Sequence, residues 1–157
     1  MSMKPNVGIS DKHRSEIAAA LAKILAGSYA LQLQTQHGHW NVKGPFFDSL
    51  HKLFQTQYEE LQLAVDEIAE RIRVMGEDAP GTFAEFQKLS PIKQKSSFKN
   101  ANDIVRFLME AHDEMIAACK SAIQVSEKAG DEATTDLLTE RIASHGKTSW
   151  MLRATLE

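Results

Sequence analysis

The stretch TQHGHWNVKGPFFDSLHKLF, residues 35–54, separates two long runs of helical periodicity, and its reading decides the fold. Asn41, Gly44 and Pro45 are residues that a turn uses. A turn has no need of His37, His39 and Trp40 packed beside it. Upstream, Ile17, Leu21, Ile24, Ser28 and Leu31 recur at helical spacing and share one face. Ser10 or Asp11 can cap this helix, which is expected to end by Gly38. Downstream, Leu50, Phe54, Leu61, Val65, Ile68, Ile72 and Met75 predict a second helix, stopped by Gly76. The break between the two is short, so they should form an antiparallel hairpin.

The second half of the chain repeats the arrangement. A third helix is expected to start between Asn100 and Asp103 and to carry Ile104, Leu108, Met115, Cys119 and Ile123 up to Gly130. A fourth runs from Asp131 with Leu138, Ile142, Leu152 and Leu156. No segment reads as a strand. Between the hairpins lie residues 77–99, punctuated by Pro80-Gly81 and Ser90-Pro91, long enough to cross the length of a bundle. Phe83, Phe86 and Leu89 within it suggest a short extra helix. The expected fold is all-α: a four-helix bundle with one long crossover, the ferritin-like topology. Residues 1–9 form a short N-terminal tail, and residues 10–157 form one domain.

Composition narrows the function. At 157 residues, with 43% hydrophobic and 25% charged residues, the chain has the make-up of an ordinary soluble domain. A net charge of -3 argues against a surface built wholly for nucleic acid. One cysteine, Cys119, excludes an intrachain disulfide and sits on an apolar stripe, as a buried inert thiol would. The uncharged run over residues 24–42 has the length of a membrane span. It also holds Gln32, Gln34, Gln36, His37 and His39, which hydrocarbon does not tolerate. With no secretory-signal pattern at the start, a cytoplasmic location away from membranes is expected.

Four-helix di-iron proteins usually build their site inside one subunit from Glu-x-x-His pairs, and this chain has none. Glu110 and His112 are two apart and point to different helix faces. On the second helix, His51 precedes Gln55 by four residues and Asp66 precedes Glu70 by four, so each pair shares a face. At about 100° per residue, Asp66 is rotated only about 60° from His51, yet it lies roughly 22 Å along the axis. No metal spans that distance. Two copies of the helix packed antiparallel about a twofold axis near Glu59 or Glu60 would bring His51 of one copy to Asp66 and Glu70 of the other. His39 could then cap each of two identical sites. Imidazole with carboxylate suits iron. Solvated charges beside Arg71 and Arg73, and a hydrogen-bonded boundary histidine, explain the same residues without a metal.

The segments HWNVKGPFFDSLHKLF, VDEIAERIRVMG, DEATTDLLTERI and WMLR resemble the DNA-protection-during-starvation (Dps) family of miniferritins, and the likeness covers the chain from about residue 10. The resemblance implies a hollow dodecamer with a ferroxidase site between subunits. Such a cage oxidises Fe(II) with hydrogen peroxide or dioxygen, stores a ferric mineral and protects the cell from oxidative damage. It implies iron ligands at His39 and His51 from one chain and at Asp66 and Glu70 from its neighbour, with Trp40 adjacent. His37 matches no ligand. Asp131, Asp136 and Glu140 resemble the acidic lining of the family's threefold pores, although carboxylates at a helix N-terminus are expected from the macrodipole alone.

Two departures matter. The family pattern expects a carboxylate four residues after the second histidine, and this chain has Gln55 there, which leaves the second iron position weaker. Residues 1–10 carry one lysine, Lys4, so DNA association is expected to be weak. The rival expectations are a DNA-condensing or structural shell with a weakened ferroxidase site, and a helical bundle that only mediates protein contacts.

Overall fold

The computed structural model describes residues 3–157, and among these residues there are five helices and no strand. They are α1 (Asp11–Asn41), α2 (Phe47–Val74), α3 (Phe83–Leu89), α4 (Ala101–Lys128) and α5 (Glu132–Ala154). Each long helix starts or stops on local chemistry. The Ser10 hydroxyl accepts from the His13 N–H to cap α1. Asn100 caps α4 and Asp131 caps α5 in the same way. Gly76 ends α2 at φ +87°, a conformation that other residues adopt at a steric cost. The short α3 is held by a capping box between Thr82 and Glu85.

The hairpins are α1–α2 and α4–α5; α1 also packs on α4 and α3, and α2 on α5. Side-chain contacts set the directions. Arg71 reaches Asp131 and Arg141 reaches Glu60, so α2 and α5 are antiparallel. Gly38 faces Ile104 and Gly27 faces Met115, so α1 and α4 are antiparallel too. Hence α2 and α4 run the same way, and the segment between them must return along the bundle. That is the four-helix bundle with one long crossover. The core is a single cluster that includes Leu21, Leu31, Phe54, Leu61, Ile68, Leu108, Met115, Leu138 and Leu152. Although α1 is apolar and long enough to cross a bilayer, its stripe is spent on this core.

One boundary differs from expectation. Helix α1 does not end by Gly38 but runs on to Asn41, so His37, Gly38, His39 and Trp40 are all helical. Glycine is a poor helix former, by about 1 kcal/mol relative to alanine. Gly38 is retained in the helix because α4 approaches closely there: a Cβ would lie 2.8 Å from Ile104 Cγ2. The residue serves helix packing, and the turn begins only at Val42.

Candidate functional site

The longer α1 changes where its histidines point. His39 stands in the last turn of α1, and His51 faces it from the second turn of α2. Their rings stack at 3.7 Å between centroids with 14° between planes. Each Nδ1 lies 2.7 Å from the other residue's backbone carbonyl oxygen. The His39 carbonyl is free for this because no helical N–H follows it at the end of α1. A carbonyl only accepts, so each Nδ1 carries the proton and donates it. In the neutral ring this leaves the lone pair on Nε2, the tautomer that a metal ligand requires. Both Nε2 atoms lack a protein partner among the described residues, yet neither is sealed from solvent.

Two aromatic rings clamp the pair. Phe47 stacks on His51 at 5.0 Å, and the edge of Tyr58 meets His39 at 5.3 Å. Neither Phe47 nor Tyr58 is among the site residues expected from the sequence. The signal was there: Phe47 and His51 are four apart on α2, and Tyr58 follows two turns later on the same face. Trp40, one residue beyond His39, points outward and is 63% exposed.

The carboxylates lie elsewhere. Asp66 and Glu70 are exposed near the far end of α2, and neither has a hydrogen-bond or ion-pair partner among the described residues. Gln55 is exposed and donates its amide to Glu59 at 2.9 Å, which leaves its carbonyl oxygen open. Within one chain, no group of three or more His, Cys, Asp or Glu among the described residues could hold a metal. The chain brings together His39 and His51 and keeps both apart from Asp66 and Glu70. Of the two axis positions, Glu60 turns inward to Arg141, while Glu59 stays on the outer face near Leu63, an apolar side chain 72% exposed.

Among the residues matched to a pore, only Asp131 is enclosed. It is buried, caps α5 and pairs with Arg71 at 2.7 Å, so its charge is already neutralised. Asp136 is exposed in an acidic recess that Glu127, Asp131 and Glu132 also line, and Glu140 is exposed outside that recess.

A second imidazole pair, also missed from the sequence, lies in the middle of the bundle. His112 on α4 and His145 on α5 are buried and bond Nδ1 to Nδ1 at 2.8 Å. One ring must donate and the other accept, so the pair offers at most one Nε2 lone pair. Both Nε2 atoms are buried without a protein partner. Burial, and then the nearby Arg141 guanidinium, pushes His112 down to about 3. Burial, His112 and Arg141 push His145 down to about 2. Both rings are therefore neutral at pH 7. Gln57 sits level with His145 by the α2–α5 register, and its buried amide also lacks a partner. Cys119 is fully buried, its thiol pushed up to about 11 by burial, as expected of an inert side chain.

Comparison with known proteins agrees with this architecture. Residues 18–157 match the family model described as a ferritin-like domain. The chain is 34% identical over 154 residues to a low temperature-induced protein of Nostoc, covering 97% of this chain and 86% of that one. It is 33% identical over 141 residues to DNA protection during starvation protein 2 of Bacillus anthracis, covering 90% and 97%. The crystal structure of a Dps protein from Vibrio cholerae, described as one of the ferritin-like diiron-carboxylate proteins, superposes with a TM-score of 0.93 at 27% identity. That superposition covers 100% of this chain and 99% of the other. By sequence and by fold, this chain belongs to the ferritin-like family, in its Dps branch.

Proposed function

We propose that the protein is a ferroxidase and iron store. It would assemble as a dodecameric cage, oxidise Fe(II) with hydrogen peroxide at sites shared between chains, and deposit the ferric product inside. The observation that carries this reading is the reciprocal bonding of His39 and His51, which leaves both Nε2 lone pairs open to solvent with no third ligand among the described residues of the same chain. A pair so arranged is prepared for a cation whose remaining ligands come from elsewhere. Asp66 and Glu70 of a second copy, with no partners among the described residues of their own chain, are carboxylates of the right kind. Exposed Leu63, Trp40 and Phe46 supply apolar surface that a second copy would cover.

In this scheme Fe(II) is the substrate. The imidazoles bind it without adding charge, and the carboxylates offset its charge and favour Fe(III). Each Fe(II) loses one electron, and one peroxide accepts two as its O–O bond breaks to give two hydroxides. Gln55 supplies only a neutral oxygen to a second cation, so one position of each site binds more weakly. Asp136 and Glu140 would attract Fe(II) toward the cage interior. Binding to duplex DNA would be weak at physiological salt.

Mixing of inactive variants tests the shared site. One variant carries His39→Ala and His51→Ala; the other carries Asp66→Asn and Glu70→Gln. Each alone should be nearly inactive in iron oxidation. Random pairing in co-refolded particles should restore about a quarter of the sites, because half the dimers are mixed and each regains one site of two. Verified mixed particles as inactive as either parent would refute the sharing.

A further inference from the structure

His37 remains without a role in iron chemistry, and the structure places it away from the stacked pair. Its ring is half-buried at 5.5 Å from that of Phe98, in the crossover just before α4. The two rings form part of the wall of an open pocket of about 470 Å³, also lined by Lys43, Ser96, Ser97 and Lys99. That volume lies in the range of small-molecule sites. Phe98 is anchored by Phe107 at 5.4 Å, so this wall is built into the bundle.

The lining chemistry selects the charge of the occupant. No carboxylate lines the pocket. The neighbouring Asp103 is engaged at its edge by Lys95 at 3.3 Å and by the Lys99 backbone N–H at 3.0 Å. Lys43 and Lys99 have no ion-pair partner among the described residues. Residues 86–102 contain four lysines, Lys88, Lys93, Lys95 and Lys99, and no acidic residue. A pocket with two unpaired ammonium groups and two hydroxyls repels cations and suits an oxyanion of charge near -2. Inorganic phosphate alone would leave most of the volume unfilled. The rings of His37 and Phe98 bound the remaining space, with the Lys95 ammonium over the Phe98 ring at 5.1 Å.

We propose that this pocket binds a small phosphate monoester of nucleotide size, held by Lys43 and Lys99 and bounded by His37 and Phe98. The proposal is independent of iron oxidation and is tested on the assembled, iron-free protein. Isothermal titration with AMP should give saturable binding at one site per chain, and inorganic phosphate should bind more weakly. The double variant Lys43→Gln, Lys99→Gln, with helicity and particle size unchanged, should weaken AMP binding about tenfold or more. A control with Lys88→Gln and Lys93→Gln removes the same charge from outside the pocket and should change binding less than twofold. Absence of saturable AMP binding would overturn the proposal, as would equal losses in the two double variants. Phosphate binding as tight as AMP would refute the role of the ring wall. Duplex DNA held through Lys43 and Lys99 with no displacement by AMP would assign the lysines to a macromolecular surface instead.

Discussion

Two pairs of histidines, each bridging two helices of a hairpin, are built from the same side chains and end in opposite chemical states. At the end of the bundle, His39 and His51 each donate Nδ1–H to a backbone carbonyl, so both Nε2 lone pairs stay open. In the middle, His112 and His145 share one Nδ1–H between them, and both Nε2 atoms are enclosed. The difference lies in what the backbone offers. The His39 carbonyl lies at the C-terminus of α1, where no helical N–H claims it, and the His51 carbonyl, inside α2, takes the His39 Nδ1–H on its second lone pair, whereas the two interior rings bond to each other. The open lone pairs thus lie where the helices end, and the interior pair is left as a polar layer in an apolar core.

The comparison can be broken most forcefully with acid. His112 and His145 are held below the ordinary 6.5. Below pH 6.5 the unfolded chain takes up protons on these residues that the folded chain refuses. Their neutral burial therefore costs nothing extra above about pH 6.5, and stability falls as pH drops from there toward the folded values near 3 and 2. Between pH 7 and pH 5 the two together should remove about 4 kcal/mol, read from urea midpoints. The double variant His112→Leu, His145→Leu should flatten that slope; an unchanged slope would show that other groups govern acid unfolding.

The terminal pair should answer to a different measurement. His51→Ala is expected to slow iron oxidation about a hundredfold, as loss of metal-site groups commonly does. Its melting temperature should barely move, because the carbonyl that accepts from His39 belongs to the backbone and survives. A large stability loss with normal oxidation would reverse the assignment of the two pairs.

Gly38 links the comparison to packing. Gly38→Ala should cost about 2 kcal/mol through the clash with Ile104 on α4, and should slow oxidation by displacing His39. Gly146→Ala, where a Cβ meets nothing within 4 Å, should instead stabilise α5 by up to about 1 kcal/mol. Calorimetry on both variants separates crowding from helix propensity. The smallest effect expected is a gain: Gln55→Glu should raise iron occupancy several-fold by adding a carboxylate near His51. No gain in a binding titration would place Gln55 outside the second position.

Periodicity determined much of this protein without any structure. Four apolar repeats, their caps and one long link were enough for the four-helix bundle, and Phe83, Phe86 and Leu89 for the small helix in the crossover. The distance along α2 was equally legible, because helix rise is constant; it alone separates His51 from Asp66 and Glu70. Tertiary structure decided the rest. Local propensity reads Gly38 as a stop, and only the approach of Ile104 explains why the helix continues to Asn41. Nothing in spacing could pair His112 with His145, 33 residues apart on different helices, or predict that each Nδ1 of His39 and His51 would find the other's carbonyl. Those choices depend on the register of one helix against another, which side-chain packing sets and a single helix's pattern does not record.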